Sequence, residues 1–525
     1  MTTQTTDYDA IVVGAGHNGL AAAMILARGG KRVVCLEKNT YAGGMASTVE
    51  LWDGFHFEIA GSVLFPPVPK IAEDLGLSAL PTVDAEVMSV NLGGDDDEPM
   101  IFYRDAVKLM EHLTDKHGVE AMLGMAEVMG WAAGPARALA RFEVRNPPKS
   151  YDEMLACAQT EAERAAIQEM LFGSCMDVLN RCFPDRDKQR VIRGMLAFLA
   201  VNSTYRGPYS PGSAACLAFA LASPDGTEMM QKLQGGIGAL TGQLKQVFLD
   251  SGGELRLKTT VTEILHDGAR VAGVKLKNGD TLTAPIVISN LDPGVTFTKL
   301  IDPASMPADL VLRLSKRDHR AAWVQMHFAL DRMPTFAGTY EFLNDDKLAA
   351  SLGIFGSPEE MQLDWENCRR GLVPDNPSMG LQIPSIHDAG MAPEGMHAAS
   401  AFAMYFPVEN ERTEHGHLKK EMADRVIAKL NRLAPDFSER IQRQTIFASY
   451  HFETMFAAPG GDFCHGLLHP DLMGPNRPGP RGWADLPVPL QGLYLGGAGC
   501  HGGPGITFIP GYNAGYQALE DAGTA

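Results

Sequence analysis

A glycine-rich turn near the start of this 525-residue chain constrains its fold more than any other feature. The apolar run 11–13 leads into residues 14–19, with the sequence GAGHNG, and a second apolar run, 33–36, ends at Glu37. This order predicts a strand, a tight turn, a helix and a second strand that ends in an acid. A unit of this kind binds the ADP part of a dinucleotide.

Each glycine of the turn has its own task in such a unit. Gly14 makes the tight turn, Gly16 lets the backbone approach a pyrophosphate, and Gly19 lets the helix pack closely against the strand. The N–H groups at the start of the helix face the phosphates, and Glu37 accepts hydrogen bonds from a ribose diol. The alternative is a structural turn in an unrelated α/β protein, and the acid in register with both strands argues against it.

Two further glycine-rich stretches indicate which dinucleotide the chain binds. Gly43 and Gly44 follow closely after Glu37 and let a second loop approach the same pyrophosphate. Near the C-terminus the apolar run 493–495 ends in glycines and precedes a predicted helix over 512–521, whose N-terminus offers N–H groups and a positive dipole. The two chain ends therefore form two walls of one cofactor site, and this arrangement suits FAD.

Motifs along the whole chain resemble those of the phytoene desaturase (carotenoid desaturase) branch of FAD-dependent oxidoreductases. The motifs are GAGHNGL at 14–20, QGGIGAL at 234–240, ISN at 288–290, PGG at 459–461, LQGLYL at 490–495 and GCHGG at 499–503. The chain departs from the family at two positions. Many relatives have an arginine where this chain has Met45, and many related flavoproteins have an acid where it has Gly499. Both changes leave more of the cofactor binding to the backbone.

The predicted fold class is α/β, with a discontinuous Rossmann-like FAD-binding domain and an inserted α+β substrate domain. We expect residues 1–65, 228–297 and 486–525 to form the FAD-binding domain. Residues 66–227 are predicted as a mostly helical substrate or cap region. Residues 298–485 are predicted as a mixed sheet and helix substrate domain.

Several site residues follow from these patterns. The resemblance implies a backbone contact with the adenine at Val261, within a strand predicted over 254–264. Tyr512 and Asn513 begin the predicted last helix beside Gly511, where a helix N-terminus stabilises negative charge on the reduced flavin. The residues predicted to bind the cofactor are Gly14, Ala15, Gly16, His17, Asn18, Gly19, Glu37, Lys38, Gly43, Gly44, Met45, Val261, Gly499, Gly511, Tyr512 and Asn513.

The candidate catalytic residue is His501, which lies among glycines after the last predicted strand. We expect it to form a hydrogen bond to the flavin or to transfer a proton, unless it only satisfies a buried loop carbonyl. Its neighbour Cys500 could in principle form a covalent flavin thioether, but we expect a small buried residue there and non-covalent FAD. Aromatic candidates for the substrate pocket, with ordinary core as the alternative, are Trp323, Phe328, Tyr405 and Phe406.

Composition excludes other classes of function. The formal net charge is −18 and no basic cluster occurs, so nucleic-acid binding is not expected. The eight cysteines include no Cys-x-x-Cys pair, which argues against a zinc ribbon and a dithiol redox centre. No metal site is predicted, because His415 and His417, with acids upstream, fit a polar loop before the next helix better than a zinc site.

The first residues show no secretory or transit signal, and no apolar stretch is long enough to span a membrane. We therefore expect a cytoplasmic protein. Whether it contacts a membrane peripherally, and in which oligomeric state it exists, is left open.

The predicted function is an FAD-dependent oxidoreductase of the phytoene desaturase-like family. It dehydrogenates an apolar, partly apolar or aromatic small molecule by hydride transfer to the flavin, with oxygen or a quinone as the electron acceptor. The alternatives are a flavin amine or alcohol oxidase, a redox-neutral isomerase, and a flavin-containing regulatory or binding protein.

Overall fold

The computed structural model of the protein describes residues 6–64, 69–77, 80–222, 231–410 and 413–523. The strands are β1 (Ala10–Val13), β2 (Val33–Leu36), β3 (Thr48–Trp52), β4 (Phe55–Glu58), β5 (Val87–Leu92), β6 (Met100–Tyr103), β7 (Glu254–Arg256), β8 (Val261–His266), β9 (Val271–Leu276), β10 (Thr281–Thr283), β11 (Ile286–Ser289), β12 (Trp323–Leu330), β13 (Ser351–Ile354), β14 (Met379–Gln382), β15 (His397–Met404), β16 (Ile441–Ala448) and β17 (Leu493–Leu495).

The helices lie between these strands along the chain, and one follows the last strand. They are α1 (His17–Arg28), α2 (Pro69–Leu75), α3 (Ala106–His112), α4 (Val119–Leu139), α5 (Tyr151–Ala156), α6 (Glu161–Phe172), α7 (Cys175–Cys182), α8 (Arg190–Val201), α9 (Ala214–Ala220), α10 (Gly238–Asp250), α11 (Pro293–Lys299), α12 (Ala308–Ser315), α13 (Asp346–Ala349), α14 (Pro358–Cys368), α15 (His415–Leu433), α16 (Phe437–Arg440), α17 (Ser449–Phe456) and α18 (Ile509–Asp521).

A five-stranded parallel sheet carries the glycine turn. Its strand order is β17-β11-β1-β2-β7, so strands from both ends and from the middle of the chain lie side by side. Val12 of β1 pairs with Cys35 on one side and with Ile288 on the other. These three strands are buried along their whole length. Helices α1, α10 and α18 cover one face of the sheet, and the three-stranded sheet β8–β10 with α11 and α12 covers the other.

A second, seven-stranded sheet has the order β16-β12-β15-β14-β13-β5-β6. Strand β12, next to the edge strand β16, pairs antiparallel with both β15 and β16. Strands β5 and β6 come from the region 66–227, which was predicted as mostly helical. That region does hold α2–α9, but the runs VMSVNL and MIFY combine β-branched or aromatic residues with short length and add two strands to the second sheet.

The single strand predicted over 254–264 is two strands in the structure. The chain leaves β7, turns at Lys258 with a φ of +53°, and enters β8 in a different, antiparallel sheet. Between the two strands, the Thr259 N–H donates to the Glu37 carbonyl at 2.7 Å and the Lys258 N–H donates to the Asn39 carbonyl at 2.9 Å. This break therefore brings residues 259–261 across the end of β2.

The last helix, α18, packs along α1, the helix that follows the glycine turn. A side chain at Gly511 would meet the Asn18 carbonyl oxygen at 1.9 Å, and one at Gly515 would meet the Ile25 Cβ at 3.0 Å. The two chain ends therefore touch through glycines. In the described ranges, none of the helices has the length and apolar character that crossing a bilayer requires.

Candidate flavin site

A cavity of about 270 Å³ opens at the carboxyl ends of β1, β2 and β11, where open parallel sheets bind their ligands. The volume is just below the range of about 300–1,000 Å³ that is typical of small-molecule sites. Its lining residues are Val13, Gly14, Gly16, His17, Asn18, Leu36, Glu37, Lys38, Asn39, Gly43, Gly44, Met45, Thr259, Thr260, Val261, Asn290, Leu291, Val295, Leu300, Phe456, Ala457, Phe463, His465 and Ala498.

Ten of the predicted cofactor residues line this cavity, and two more support the turn from behind. The two are Ala15, whose N–H donates to Glu37 Oε2 at 2.9 Å, and Gly19, where a Cβ would lie 2.0 Å from the Gly14 carbonyl oxygen. The ten lining residues are Gly14, Gly16, His17, Asn18, Glu37, Lys38, Gly43, Gly44, Met45 and Val261.

The predicted C-terminal site residues lie outside the cavity lining. Helix α18 begins at Ile509, three residues before its predicted start, so Tyr512 and Asn513 turn away from the site. The Tyr512 hydroxyl donates to Asp74 Oδ2 at 2.7 Å, and the Asn513 side chain donates to the Val144 carbonyl at 2.9 Å. Gly511 packs against the Asn18 backbone instead of facing a ligand.

The loop after β17 contributes a different residue from those predicted. Ala498 lines the cavity, whereas Gly499 faces Pro293 and the carbonyl of His465. His501 does not line the cavity either; its N–H donates to the Pro478 carbonyl at 2.9 Å, and burial lowers the pKa of its imidazole to about 4. The structure therefore does not bring His501 together with the glycine turn, since the loop folds back over the region around Pro478.

Two of the cavity residues that were not predicted, Asn290 and His465, come to the turn from other parts of the chain. Asn290 donates from Nδ2 to the Gly14 carbonyl at 3.1 Å, and a Cβ at Gly16 would lie 2.9 Å from that nitrogen. The motif ISN already contained Asn290, and its place directly after a buried strand was a usable signal. The other residue is His465, which comes from a loop with no sequence motif of its own.

The start of α1 has the features of an anion site. Its N-cap residue, Gly16, provides no side-chain cap, and its first turn contains no acid, so its N–H groups face the cavity without a competing carboxylate. Asn18 is 2% exposed, and its Oδ1 has no hydrogen-bond partner among the described residues. The Gly43 φ of +115° and the Gly44 φ of +63° shape a second loop beside Gly16. These residues fit the diphosphate of FAD.

His415 and His417, which were predicted to lie in a polar loop, are part of helix α15. His415 is the first residue of α15, is 5% exposed, and packs between Phe406 and Tyr450, so the predicted polar loop is wrong at this residue. Within the described ranges, no group of three or more histidines, cysteines or acids has the geometry to hold a metal ion.

Comparisons with known proteins show the family of the chain. The family model of flavin-containing amine oxidoreductases matches residues 19–518. Pyridine nucleotide-disulfide oxidoreductase domain-containing protein 2 of Mus musculus is 27% identical, over 98% of this chain and 94% of its own length. The phytoene desaturase (neurosporene-forming) of Rhodobacter capsulatus is 25% identical, over 96% of this chain and 92% of its own length. These matches confirm the resemblance that the sequence motifs indicated. Within the phytoene desaturase branch, the motifs were most similar to those of the first of these two relatives.

A solved structure, an oxidoreductase from Methanosarcina mazei, superposes with a TM-score of 0.60 at 15% identity and covers 98% of this chain and 99% of its own. It confirms the predicted fold class. The glycine turn, the acid at the end of β2 and the family match together identify an FAD-dependent oxidoreductase. The chain belongs to the family of flavin-containing amine oxidoreductases.

Proposed function

We propose that the protein dehydrogenates an apolar or partly apolar small molecule. The observation that carries this proposal is an aromatic cluster that continues one wall of the flavin cavity. Phe463 lines the cavity and meets Trp323 edge to face, with ring centroids 5.2 Å apart. Trp323 in turn stacks on Phe402 at 5.1 Å and contacts Phe452 at 4.3 Å.

The aromatic cluster consists of Trp323, Phe402, Phe452 and Phe463. Of the four aromatic residues that the sequence suggested for the substrate pocket, only Trp323 belongs to it. Trp323 is on the cavity side of the second sheet, and its Nε1 donates to the Gly461 carbonyl at 3.2 Å. Phe328 and Phe406 belong to the core on the other face, below α15. Tyr405 is buried with its hydroxyl on the Arg206 carbonyl at 3.0 Å. Ordinary core packing therefore accounts for these last three.

The charges of the cavity favour an uncharged substrate over an ammonium group. Among the lining residues in the described ranges, Glu37 is the one carboxylate, and both of its oxygens accept backbone hydrogen bonds. Because Glu37 binds the cofactor ribose, it is not available to a cationic amine, and a buried charge without a partner is costly. Aromatic and apolar groups at Phe456, Phe463 and Leu300 instead favour burial of apolar substrate surface.

The residues of the chain then have distinct tasks. The turn at Gly14 and Gly16 and the start of α1 bind the diphosphate, and Glu37 fixes the ribose end. The aromatic cluster excludes water and orients the substrate carbon chain. When bound, FAD supplies the acceptor for a hydride from a substrate carbon, and oxygen or a quinone removes the electron pair. The other substrate hydrogen leaves the neighbouring carbon as a proton while the double bond forms, so the acceptor gains two electrons and two protons overall.

An anaerobic bleaching screen tests this proposal. The purified yellow protein is mixed with polyene, aromatic and amine compounds, and the flavin absorbance is recorded with and without a quinone. We expect apolar compounds to bleach the flavin absorbance and the quinone to restore it. The variant Phe463→Leu should keep the response, whereas Phe463→Asn should weaken it, because the amide is left unpaired in an aromatic wall.

Other outcomes would favour the alternative functions. Bleaching by amines alone with peroxide release indicates an amine oxidase. A product of unchanged mass without a net electron acceptor indicates an isomerase. If no compound bleaches the flavin, and a partner protein is captured equally well by a cofactor-free Gly16→Asp variant, the protein acts as a scaffold.

A further inference from the structure

A buried imidazole from outside every recognised motif faces the flavin cavity. His465 lines the cavity and is 8% exposed. Its Nδ1 has no hydrogen-bond partner among the described residues. Its backbone has a φ of +48°, a region that non-glycine residues seldom adopt and that is often found at functional sites. A buried polar atom without a partner beside a ligand cavity indicates that the ligand supplies the partner.

One buried side chain and one backbone carbonyl hold the His465 backbone in this conformation. The His465 N–H donates to the Asp462 carbonyl at 3.2 Å, and its own carbonyl accepts from Arg317 Nη2 at 2.6 Å. The Asp462 carboxylate accepts from the Cys464 N–H at 2.8 Å, and Arg477 donates to the Cys464 carbonyl at 3.1 Å. The loop is therefore fixed from both sides, and the imidazole is positioned before any ligand binds.

The charged groups around His465 lie on several elements. Asp292 Oδ2, at the start of α11, is 3.8 Å from both Arg317 Nη2 and His319 Nε2. His319 Nδ1 is 3.2 Å from Asp462 Oδ2. Burial opposes the charge of His319, but its bond to Asp462 and the negative charges of Asp292 and Asp462 together outweigh burial and raise its pKa. The cluster also includes Arg477, so the two carboxylates lie among two arginines and His319.

His465 itself is neutral in this setting. Burial is the main cause that lowers its pKa, with the positive charges of His319 and Arg477 adding to it, and Asp292 and Asp462 opposing it. On the other wall, burial lowers the pKa of His17 to about 4, and the nearby His465 contributes. Two neutral imidazoles therefore flank the start of α1.

The lining of the cavity contains too few cationic side chains to balance the two negative charges of a diphosphate. Among its lining residues in the described ranges, Lys38 is the one lysine or arginine, and its Nζ donates to the Thr454 carbonyl at 2.7 Å. The helix dipole of α1 offers only a partial positive charge, of about half an elementary charge. A diphosphate bound here would therefore stabilise any imidazole that can become charged nearby.

We propose that His465 binds the diphosphate of FAD through its imidazole and takes up one proton from solvent as the cofactor binds. The imidazole gains the proton and becomes an imidazolium, which offsets one of the two diphosphate charges. This inference rests on FAD as the cofactor and does not depend on the substrate proposed above.

The direction of the pH effect follows from linkage. Without the diphosphate the pKa of His465 is low, and with it the pKa is higher, so the complex holds one more proton between the two values. FAD affinity should then rise as the pH falls through that window, by up to roughly tenfold for each pH unit. Above the pKa of the complex the affinity should level off at its weaker value.

The experiment measures the dissociation constant of FAD by flavin fluorescence between about pH 5.5 and pH 8.5, the range in which histidine titrates. The wild-type protein should show the slope described. His465→Gln, which keeps a neutral donor, should bind FAD with no such slope. His17→Gln should keep the slope. His266→Gln, outside the cavity lining in β8, is the matched control and should behave like the wild type.

A wild-type affinity that does not change with pH would overturn the proposal, and so would a slope that survives in His465→Gln. If His465→Gln does not fold, calorimetry of FAD binding to the wild type in two buffers of different ionisation enthalpy still counts the protons taken up, and a count of zero overturns it. Proton-linked FAD binding without substrate bleaching would refute only the proposed function. Bleaching with pH-independent FAD binding would refute only the role of His465.

Discussion

The carboxylate of Glu37 accepts a hydrogen bond from the backbone N–H of Ala15 at 2.9 Å. This bond fixes the end of β2 to the glycine turn at the end of β1. The other carboxylate oxygen accepts from the Asn39 N–H, also at 2.9 Å. Each oxygen keeps a second lone pair for a ribose hydroxyl, so one side chain both shapes the site and remains able to bind the cofactor.

We expect Glu37→Gln to weaken FAD binding by roughly tenfold to a hundredfold, because a bond to a charged acceptor contributes about 1.5–3 kcal/mol. The amide nitrogen cannot accept, so the N–H of Ala15 or Asn39 loses its partner. Fluorescence titration with FAD measures the change. Glu263→Gln, on the exposed side of β8, should leave the affinity unchanged. Equal affinity of Glu37→Gln and wild type would contradict the role given to Glu37.

The contact between the chain ends leads to a second prediction. A Cβ at Gly511 would lie 1.9 Å from the Asn18 carbonyl oxygen, and this backbone atom cannot move without shifting α1. Gly511→Ala should therefore lower the melting temperature and weaken FAD binding, at a cost of about 1–3 kcal/mol or more. Gly242→Ala is the control, because nothing lies within 4 Å of its Cβ position in α10. It should stabilise the protein by up to about 1 kcal/mol. Equal melting temperatures for the two variants would count against the packing of α18 on α1.

The sequence predicted the first wall of the site well because that wall is local. Residues 14–19 and Glu37 follow one another within a single β-α-β unit, so their spacing alone determines which groups face the ligand. Strand β17 was also predicted, since a short apolar run ending in glycines indicated a buried strand, whereas its pairing with β11 was not.

The second wall could not be predicted because it depends on long-range packing. His465 reaches the cavity through bonds to Arg317 and Asp462, and no periodicity in the sequence records those contacts. His501 was chosen for its place among glycines, but the loop turns its backbone toward Pro478. The strands β5 and β6 were missed because eight helices surround them in the sequence.

Arg477 should be essential for the stability of the second wall. Its guanidinium is 4% exposed and donates to the carbonyls of Leu472 at 2.8 Å, Cys464 at 3.1 Å and Ala498 at 2.6 Å, and also to Gly466. Arg477→Met leaves these buried acceptors unpaired, and we expect a loss of about 3 kcal/mol or more in the free energy of unfolding.

Chemical denaturation measures that loss, and Arg481→Met provides a matched control four residues away. Arg481 is 58% exposed in its side chain and pairs with Asp521 at the surface. Removing such a pair should cost less than about 1 kcal/mol. Similar losses for both variants would show that the four carbonyls do not depend on Arg477.

We expect FAD to be held without a covalent bond, although Cys500 follows the last strand closely. Cys500 is 1% exposed, does not line the cavity, and has its pKa raised to about 12 by burial, so its reactive thiolate form is scarce. Acid precipitation should release all of the yellow cofactor into the supernatant, from wild type and from Cys500→Ala alike. Flavin that stays with the wild-type precipitate and not with the variant would indicate a thioether.

The last prediction concerns Glu58, whose carboxyl is 8% exposed and accepts from the Ile237 N–H at 2.7 Å. Burial raises the pKa of this carboxyl from 4.5 to about 7; Asp388 adds to the shift and Lys232 opposes it. The folded protein therefore holds a proton between these two values that the unfolded chain has lost. Stability should fall as the pH rises through this window, by about 3 kcal/mol in total for a shift of this size.

Glu58→Gln removes this pH effect while keeping an oxygen that accepts from the Ile237 N–H. The variant and the wild type should have similar unfolding free energies near pH 4.5, because Glu58 is protonated in the folded protein there. Above about pH 7 the variant should be the more stable of the two, since it has no charge to bury. Urea unfolding at both pH values measures the difference, with Glu263→Gln as the exposed control. A constant difference across the range would show that the Glu58 carboxyl titrates normally.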